Sequence, residues 1–335
     1  MEWTEDVAAG AWLRERLDET WAHTMHDVVP RGFEAYARVF HPTVRERPVT
    51  GTWPAEDDTR AWEAFFAAQP EIDAEQVTWQ RTAEAFGTVM HPLAQWPRIV
   101  RSDDPHGDGG APRDDAGWRY DPPEQGALVA EPLAALARLL ADATTTPDAG
   151  YAAVWEGWGG LLGHTVHDAA SGLFGNVGGM PRRYAEYTPE DTPHRSVLYR
   201  SLKDVFNNPF RKGTWEPGIL PDDVSRGPHL ELPNRSYVLF RGGVTTFDDP
   251  GWPTRVPWTD HADENEQRWV RPPDAPNLVW PDDHAWVMVS EIDFDSTIVA
   301  GSAELIAAII ADPALEAASI PAGSGLSWDA DEVNR

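Results

Sequence analysis

No cysteine occurs among the 335 residues, which excludes a disulfide framework, a thiolate nucleophile, a thiolate zinc site and an iron–sulfur cluster. Lysine is nearly missing too: Lys203 and Lys212 are the only two, and every other basic residue is an arginine. With abundant Ala, Asp, Gly and Pro, this bias suggests a GC-rich genome. Positive charge is scarce altogether. Fifty-five acidic residues against 27 basic ones leave a formal net charge of -28, which opposes binding to phosphate backbones and anionic membrane surfaces. No run of about 18 apolar residues occurs, and the opening Met1-Glu2-Trp3-Thr4-Glu5-Asp6 is acidic where a secretory signal has a basic start. The expectation is a cytoplasmic protein that meets neither nucleic acid nor membrane.

Catalytic signatures are missing as well. There is no Gly-x-Ser-x-Gly elbow, no Walker-type Gly-Lys-Ser/Thr loop, no dinucleotide fingerprint after a strand and no His-Glu-x-x-His helix. The commonest hydrolase, NTPase, dehydrogenase and zinc-protease readings are therefore disfavoured. No repeat of fixed period is visible, which argues against solenoids and propellers.

What is present is an ordinary globular balance, 41% hydrophobic and 24% charged, in a chain long enough to bury roughly three quarters of its unfolded surface. Leu13, Leu17, Trp21 and Met25 recur every fourth residue and predict a helix over 7–26. Alternation from Phe33 to Phe40 predicts a strand stopped by Pro42. The stretches 59–68 and 77–86 read as helices with caps at Asp58 or Thr59 and at Thr78. Leu133, Leu136, Leu139 and Leu140 mark another helix, and Tyr151–Trp155 a strand. Leu230–Leu232 and Tyr237–Phe240 read as strands around a turn at Pro233-Asn234. After a loop-rich stretch at 248–283, Ala285–Ile292 is the clearest strand of all. Ser302 caps a last helix carrying Leu305, Ile306, Ile309 and Ile310.

These elements predict an α+β fold with a mostly antiparallel sheet, helices packed on one side and long irregular loops. A single integrated domain over 1–335 is favoured. The alternative is a division into 1–100 and 127–335 around a mobile loop at 101–126, where aliphatic residues almost vanish and Asp, Gly and Pro take over.

Three groups of residues stand out chemically. Trp155-Glu156-Gly157-Trp158-Gly159-Gly160 and the pair Trp280 and Trp286, which flank Pro281-Asp282-Asp283, predict an aromatic pocket with Glu156 and Asp282 as polar anchors. Simple packing is the competing reading. Glu291, Asp293 and Asp295 alternate with apolar residues, so a strand puts three carboxylates on one face, able to hold magnesium or calcium or to raise one another's pKa. A solvated strand end accounts for the same pattern. Finally, His23-Thr24-Met25-His26-Asp27 and His164-Thr165-Val166-His167-Asp168 share a spacing that brings two imidazoles to one helix face, permissive for a divalent metal.

Five segments carry a resemblance: Pro30–Pro42 (PRGFEAYARVFHP), Met90–Trp96 (MHPLAQW), Val154–Gly159 (VWEGWG), Pro276–Trp286 (PNLVWPDDHAW) and Glu291–Thr297 (EIDFDST). They resemble the motifs of an uncharacterised family of actinobacterial hypothetical proteins and span nearly the whole chain. The resemblance implies one integrated architecture, brings no activity or ligand, and makes 163–226 an insertion relative to shorter members. The leading expectation is thus a ligand- or partner-binding protein without catalysis, using the Trp-rich pocket and no cofactor. The alternatives are a metal-dependent hydrolase built on Glu291 and Asp293, with His164 and His167 as further ligands, and an acidic decoy of a basic, nucleic-acid-binding partner.

Overall fold

The computed structural model describes residues 1–102, 111–166, 214–260 and 273–335. In chain order the strands are β1 (Glu2–Trp3), β2 (Ala35–Phe40), β3 (Thr43–Pro48), β4 (Ile72–Val77), β5 (Arg119–Tyr120), β6 (Gly150–Trp155), β7 (His164–Val166), β8 (Thr214–Glu216), β9 (Leu230–Glu231), β10 (Ser236–Arg241), β11 (Leu278–Pro281), β12 (Val287–Val289), β13 (Ser296–Gly301) and β14 (Ala317–Ser319). The helices are α1 (Ala11–Arg14), α2 (Thr59–Ala68), α3 (Trp79–Phe86), α4 (Trp96–Ile99), α5 (Ala130–Asp142), α6 (Asp222–Ser225) and α7 (Ala303–Ala311).

The main sheet runs β1-β10-β6-β11-β12-β13-β2-β14, with β9 paired to β10; a second sheet is β4-β3-β5 and a third pairs β7 with β8. The pairings among these strands are antiparallel. The fold is α+β, as the patterning predicts. No helix among the described residues is long and apolar enough to cross a membrane.

Side-chain alternation along the strands divides the core in two. Val39, Val154, Val238, Phe240, Val279 and Val299 point to one face, where α5 (Leu133, Leu136, Leu140) and α7 (Leu305, Ile306, Ile309) cover them. Tyr36, Leu239, Leu278, Val287 and Ile298 point to the other, under Leu13, Met25, Val28 and Val29 from the N-terminal region and Ile320 and Leu326 from the C-terminal one. Helices α5 and α7 thus cover one face of the main sheet, and mostly irregular chain closes the other. A third cluster joins Phe40 at the end of β2 to Trp79, Trp96, Ile99, Trp118 and Tyr120.

The predicted caps are in place. Asp58 accepts from Ala61 N at 3.0 Å, Thr78 from Arg81 N at 3.2 Å and Ser302 from Leu305 N at 3.2 Å. Ser302→Ala removes one of the few partners open to the first turn of α7, and the expected loss is about 1 kcal/mol of unfolding free energy in urea. An unchanged midpoint would show that solvent serves that amide equally well.

Several expectations need correction. The helix over 7–26 reduces to a 3-10 turn at Val7–Gly10, the single turn α1 and a second 3-10 turn at Met25–Asp27. Beyond α1, side chains take the backbone donors: Asp27 accepts from Ala22 N (2.8 Å) and Thr24 N (3.1 Å), and Thr24 from His26 N (3.2 Å). Such local bonds offer the chain an alternative to a helix. Of the loop expected at 101–126, residues 103–110 lie outside the described residues, while Arg119–Tyr120 pair with β3 as β5 and Trp118 and Tyr120 are buried. β11 lies hidden in the stretch read as loop because its apolar run is short and ends in Pro281, and a run of that length carries no periodicity.

Candidate functional site

The predicted pocket of Trp155, Glu156, Trp158, Trp280, Asp282 and Trp286 does not assemble. Trp280 lies in β11 and Trp286 precedes β12, and the two indoles point to opposite faces of the sheet, each fully buried. Trp280 stacks on Tyr151, with ring centroids 5.4 Å apart, while Trp286 Nε1 donates to the Leu140 carbonyl at 2.8 Å. Trp155 and Trp158 do meet, edge to face at 5.5 Å. Asp282 is bound by Arg241 (Oδ2 to Nη2, 2.6 Å) and Glu156 by His229 (Oε2 to Nδ1, 2.7 Å).

The acidic row is not a strand face either. Residues 291–295 form the connection between β12 and β13, with a turn at Ile292-Asp293. Arg235 pairs with Glu291 (3.1 Å) and Asp293 (2.9 Å), whereas Asp295 turns to Arg38 (3.1 Å). Burial pushes the Glu291 carboxyl above its ordinary range, against the pull of the Asp293 amide and Arg235. Desolvation, not repulsion within the row, is the main cause. Arginine therefore occupies the oxygens a cation would need. His164 is exposed on β7, and His167 lies outside the described residues. His26 holds the Val29 carbonyl through Nδ1 at 2.9 Å. Among the described residues no group of three or more His, Asp or Glu is arranged to hold a metal ion.

Two arrangements were not anticipated from sequence. The first is a sealed polar seam along one end of the main sheet. Arg38, 1% exposed, donates through Nε to Ser296 Oγ (2.8 Å) and through Nη1 to the Ala94 carbonyl (2.7 Å), and its ring neighbour is Phe40 at 4.6 Å. His41, 0% exposed, meets the Glu124 carbonyl at 2.6 Å through Nδ1 and Thr297 Oγ1 at 2.8 Å through Nε2, and Thr297 in turn meets Ser290 Oγ at 2.6 Å. A carbonyl only accepts, so neutral His41 carries its proton on Nδ1, and the hydroxyl chain runs Ser290 to Thr297 to Nε2. Burial pushes the His41 imidazole down to about 4. Asn277 extends the seam. Its Oδ1 accepts from Trp155 N (2.8 Å) and Trp158 Nε1 (3.2 Å), and its Nδ2 donates to the Ser290 (2.9 Å) and Gly126 (3.3 Å) carbonyls. Arg38, His41, Asn277, Ser290, Ser296 and Thr297 are each buried and bonded to one another or to backbone, so the chemistry of the seam is that of a lock.

The second is a cleft of about 450 Å³ beside the small sheet, between the loop after β3 and the hairpin before β5, lined among others by Arg47, Val49, Thr52, Trp53, Asp73 and Arg113. Both walls turn on glycines with positive φ, Gly51 at +84° and Gly117 at +83°, a conformation other residues resist. Asp114 fixes the hairpin: its Oδ1 accepts from Ala116 N and Trp118 N, each 2.9 Å, and its Oδ2 from the Tyr120 hydroxyl at 2.9 Å. That carboxylate is therefore spent on two backbone amides and the Tyr120 hydroxyl, and it makes no ion pair with Arg113. Arg47 lies 4.2 Å over Trp118 and reaches Asp73 at 3.4 Å. Arg113 donates through Nη1 to the Pro54 carbonyl (2.9 Å) and sits 5.8 Å over Trp62, and its buried Nε has no partner. Among the described residues it has no carboxylate partner. A guanidinium with no carboxylate partner among the described residues, next to an indole face, is suited to an anion.

Architecture and site together define an α+β protein built on an antiparallel sheet, with a guanidinium-lined cleft at its smaller sheet. No family model matches the chain, and no curated protein or solved structure does.

Proposed function

We propose that this protein binds a small anionic molecule in the cleft of Arg47, Trp53 and Arg113 and does not transform it. The observation that carries the reading is Arg113, a cation with no carboxylate partner among the described residues of a chain of net charge -28. Acidic side chains are abundant enough to neutralise every arginine, so a cleft arginine left unmatched is a place kept for a ligand's charge. Among the lining residues Thr52 and Asp73 alone offer a hydroxyl or carboxylate, and Asp73 is engaged by Arg47, which supports binding without turnover. No metal or cofactor enters the proposal. A cytoplasmic location belongs to it, as does membership of the actinobacterial family resembled by the five motifs, which contribute Arg38, His41, Ala94, Trp158, Asn277 and Thr297 to the seam.

Calorimetric titration with small carboxylates and phosphate tests it. Arg113→Gln, which keeps a donor for the Pro54 carbonyl and removes the charge, is expected to weaken binding about ten- to a hundredfold, the loss of one charge-assisted hydrogen bond of about 1.5–3 kcal/mol. Affinity that survives the change intact would reject the cleft as the site.

A further inference from the structure

We infer that the ligand is amphipathic: a flat or aromatic carboxylate whose charged end meets Arg113 and whose apolar body lies along an aromatic strip on α2, an inference that rests on the anion-binding reading above. α2 spans ten residues and carries Trp62, Phe65 and Phe66, yet none of its residues is buried. The strip begins inside the cleft. The ring of Trp53, in the cleft wall, lies 6.0 Å from that of Trp62 and 5.3 Å from that of Phe65, and Trp62 stacks on Phe66 at 5.5 Å. Phe66 is 50% exposed, and Val49, also in the cleft wall, is 53% exposed.

A continuous apolar surface of this kind marks a binding site more often than a packing defect. Arg113 joins its two halves, because the guanidinium with no carboxylate partner among the described residues is the one placed over Trp62 at 5.8 Å. A ligand anchored there by a carboxylate has its remaining atoms carried towards Trp53 and α2. An inorganic anion would satisfy the arginine and leave the aromatic strip wet. A second copy of the chain docked on α2 would cover the strip and leave the charge unmatched. Only a molecule with both parts satisfies both observations.

The test titrates three probes against the full chain by calorimetry: 2-naphthoate, its uncharged counterpart 2-naphthamide, and acetate. 2-Naphthoate is expected to bind at least about tenfold tighter than either of the others, since one buried ring face and one charge-assisted pair are each worth that factor. Phe66→Ser, a change at an exposed position with little bearing on folding, is expected to narrow the gap between 2-naphthoate and acetate. Equal affinity for acetate and 2-naphthoate overturns the amphipathic ligand and leaves anion binding standing. Equal affinity for 2-naphthoate and 2-naphthamide overturns the charged anchor and with it the reading above. A dimer in sedimentation that Phe66→Ser dissociates, with no 2-naphthoate bound, assigns the strip to a second copy and overturns the inference as well.

Discussion

Arg38→Met is expected to lower the unfolding free energy by about 3–5 kcal/mol, the range for removing one partner of a buried ion pair. The arginine is 1% exposed, and it serves Asp295, Ser296 and the Ala94 carbonyl at once. Methionine fills much of the volume and satisfies none of them. Burial already holds the Asp295 carboxyl above its ordinary range, with Arg38 pulling it down. Without the guanidinium that carboxyl rises further and takes up a proton. The sign follows: a carboxyl whose folded pKa lies above its unfolded one gains stability as pH falls, so the variant's deficit shrinks on acidification from pH 8 to pH 5. A double-mutant cycle with Asp295→Asn isolates the pair, with an expected coupling of about 1–3 kcal/mol. Urea titrations at the two pH values read all of this. A loss for Arg38→Met below about 1 kcal/mol, the range of an ordinary surface change, would mean that the guanidinium does not anchor Asp295, Ser296 and the Ala94 carbonyl.

Local chemistry was the legible part of this fold. Caps at Asp58, Thr78 and Ser302 and the apolar face of α5 each need only a few neighbouring residues, and short-range rules find them. Partnerships across the chain were not legible. The period-2 alternation of β2 puts Arg38 on the same side as Glu34 and Tyr36, which reads as a wet face, but β13 and β14 flank that strand and chain from 92–96 covers the arginine. Glu291, Asp293 and Asp295 alternate as a strand face would, yet the chain turns at Ile292-Asp293 and sends the carboxylates to two arginines distant in sequence. The tryptophans misled for the same reason. Trp280 and Trp286 are close in sequence on either side of a hairpin turn, but side-chain parity decides the face, and one fills each core. Arg113 carried no signal, since what marks it is the want of a carboxylate partner among the described residues, which no sequence spacing encodes.

Acid is expected to unfold the protein partly through His41. Its folded pKa is pushed down to about 4 from the ordinary 6.5, because a charged imidazole at 0% exposure loses its hydration and finds only a carbonyl and a hydroxyl. The unfolded chain therefore binds a proton before the folded one does. Neutral burial contributes its full stability above pH 6.5, loses it as pH falls through the interval down to about 4, and changes no further below that. The depth of the loss is about 3 kcal/mol, 1.36 kcal/mol for each unit of the shift. Other buried groups act in the opposite direction, since burial raises the Asp295, Glu291 and Glu316 carboxyls, and the wild-type curve alone is a sum. The difference between wild type and His41→Gln removes them to first order, because those carboxyls are present in both proteins and glutamine has no charge to gain. Glutamine's carbonyl and amide can take over one acceptor and one donor role of the ring, so the variant is expected to be less stable at pH 7 and flatter from pH 7 to pH 4. The two stability curves should converge on acidification by about 3 kcal/mol. Curves that run parallel across that interval would show the His41 ring titrating at its ordinary value, and hence in contact with water.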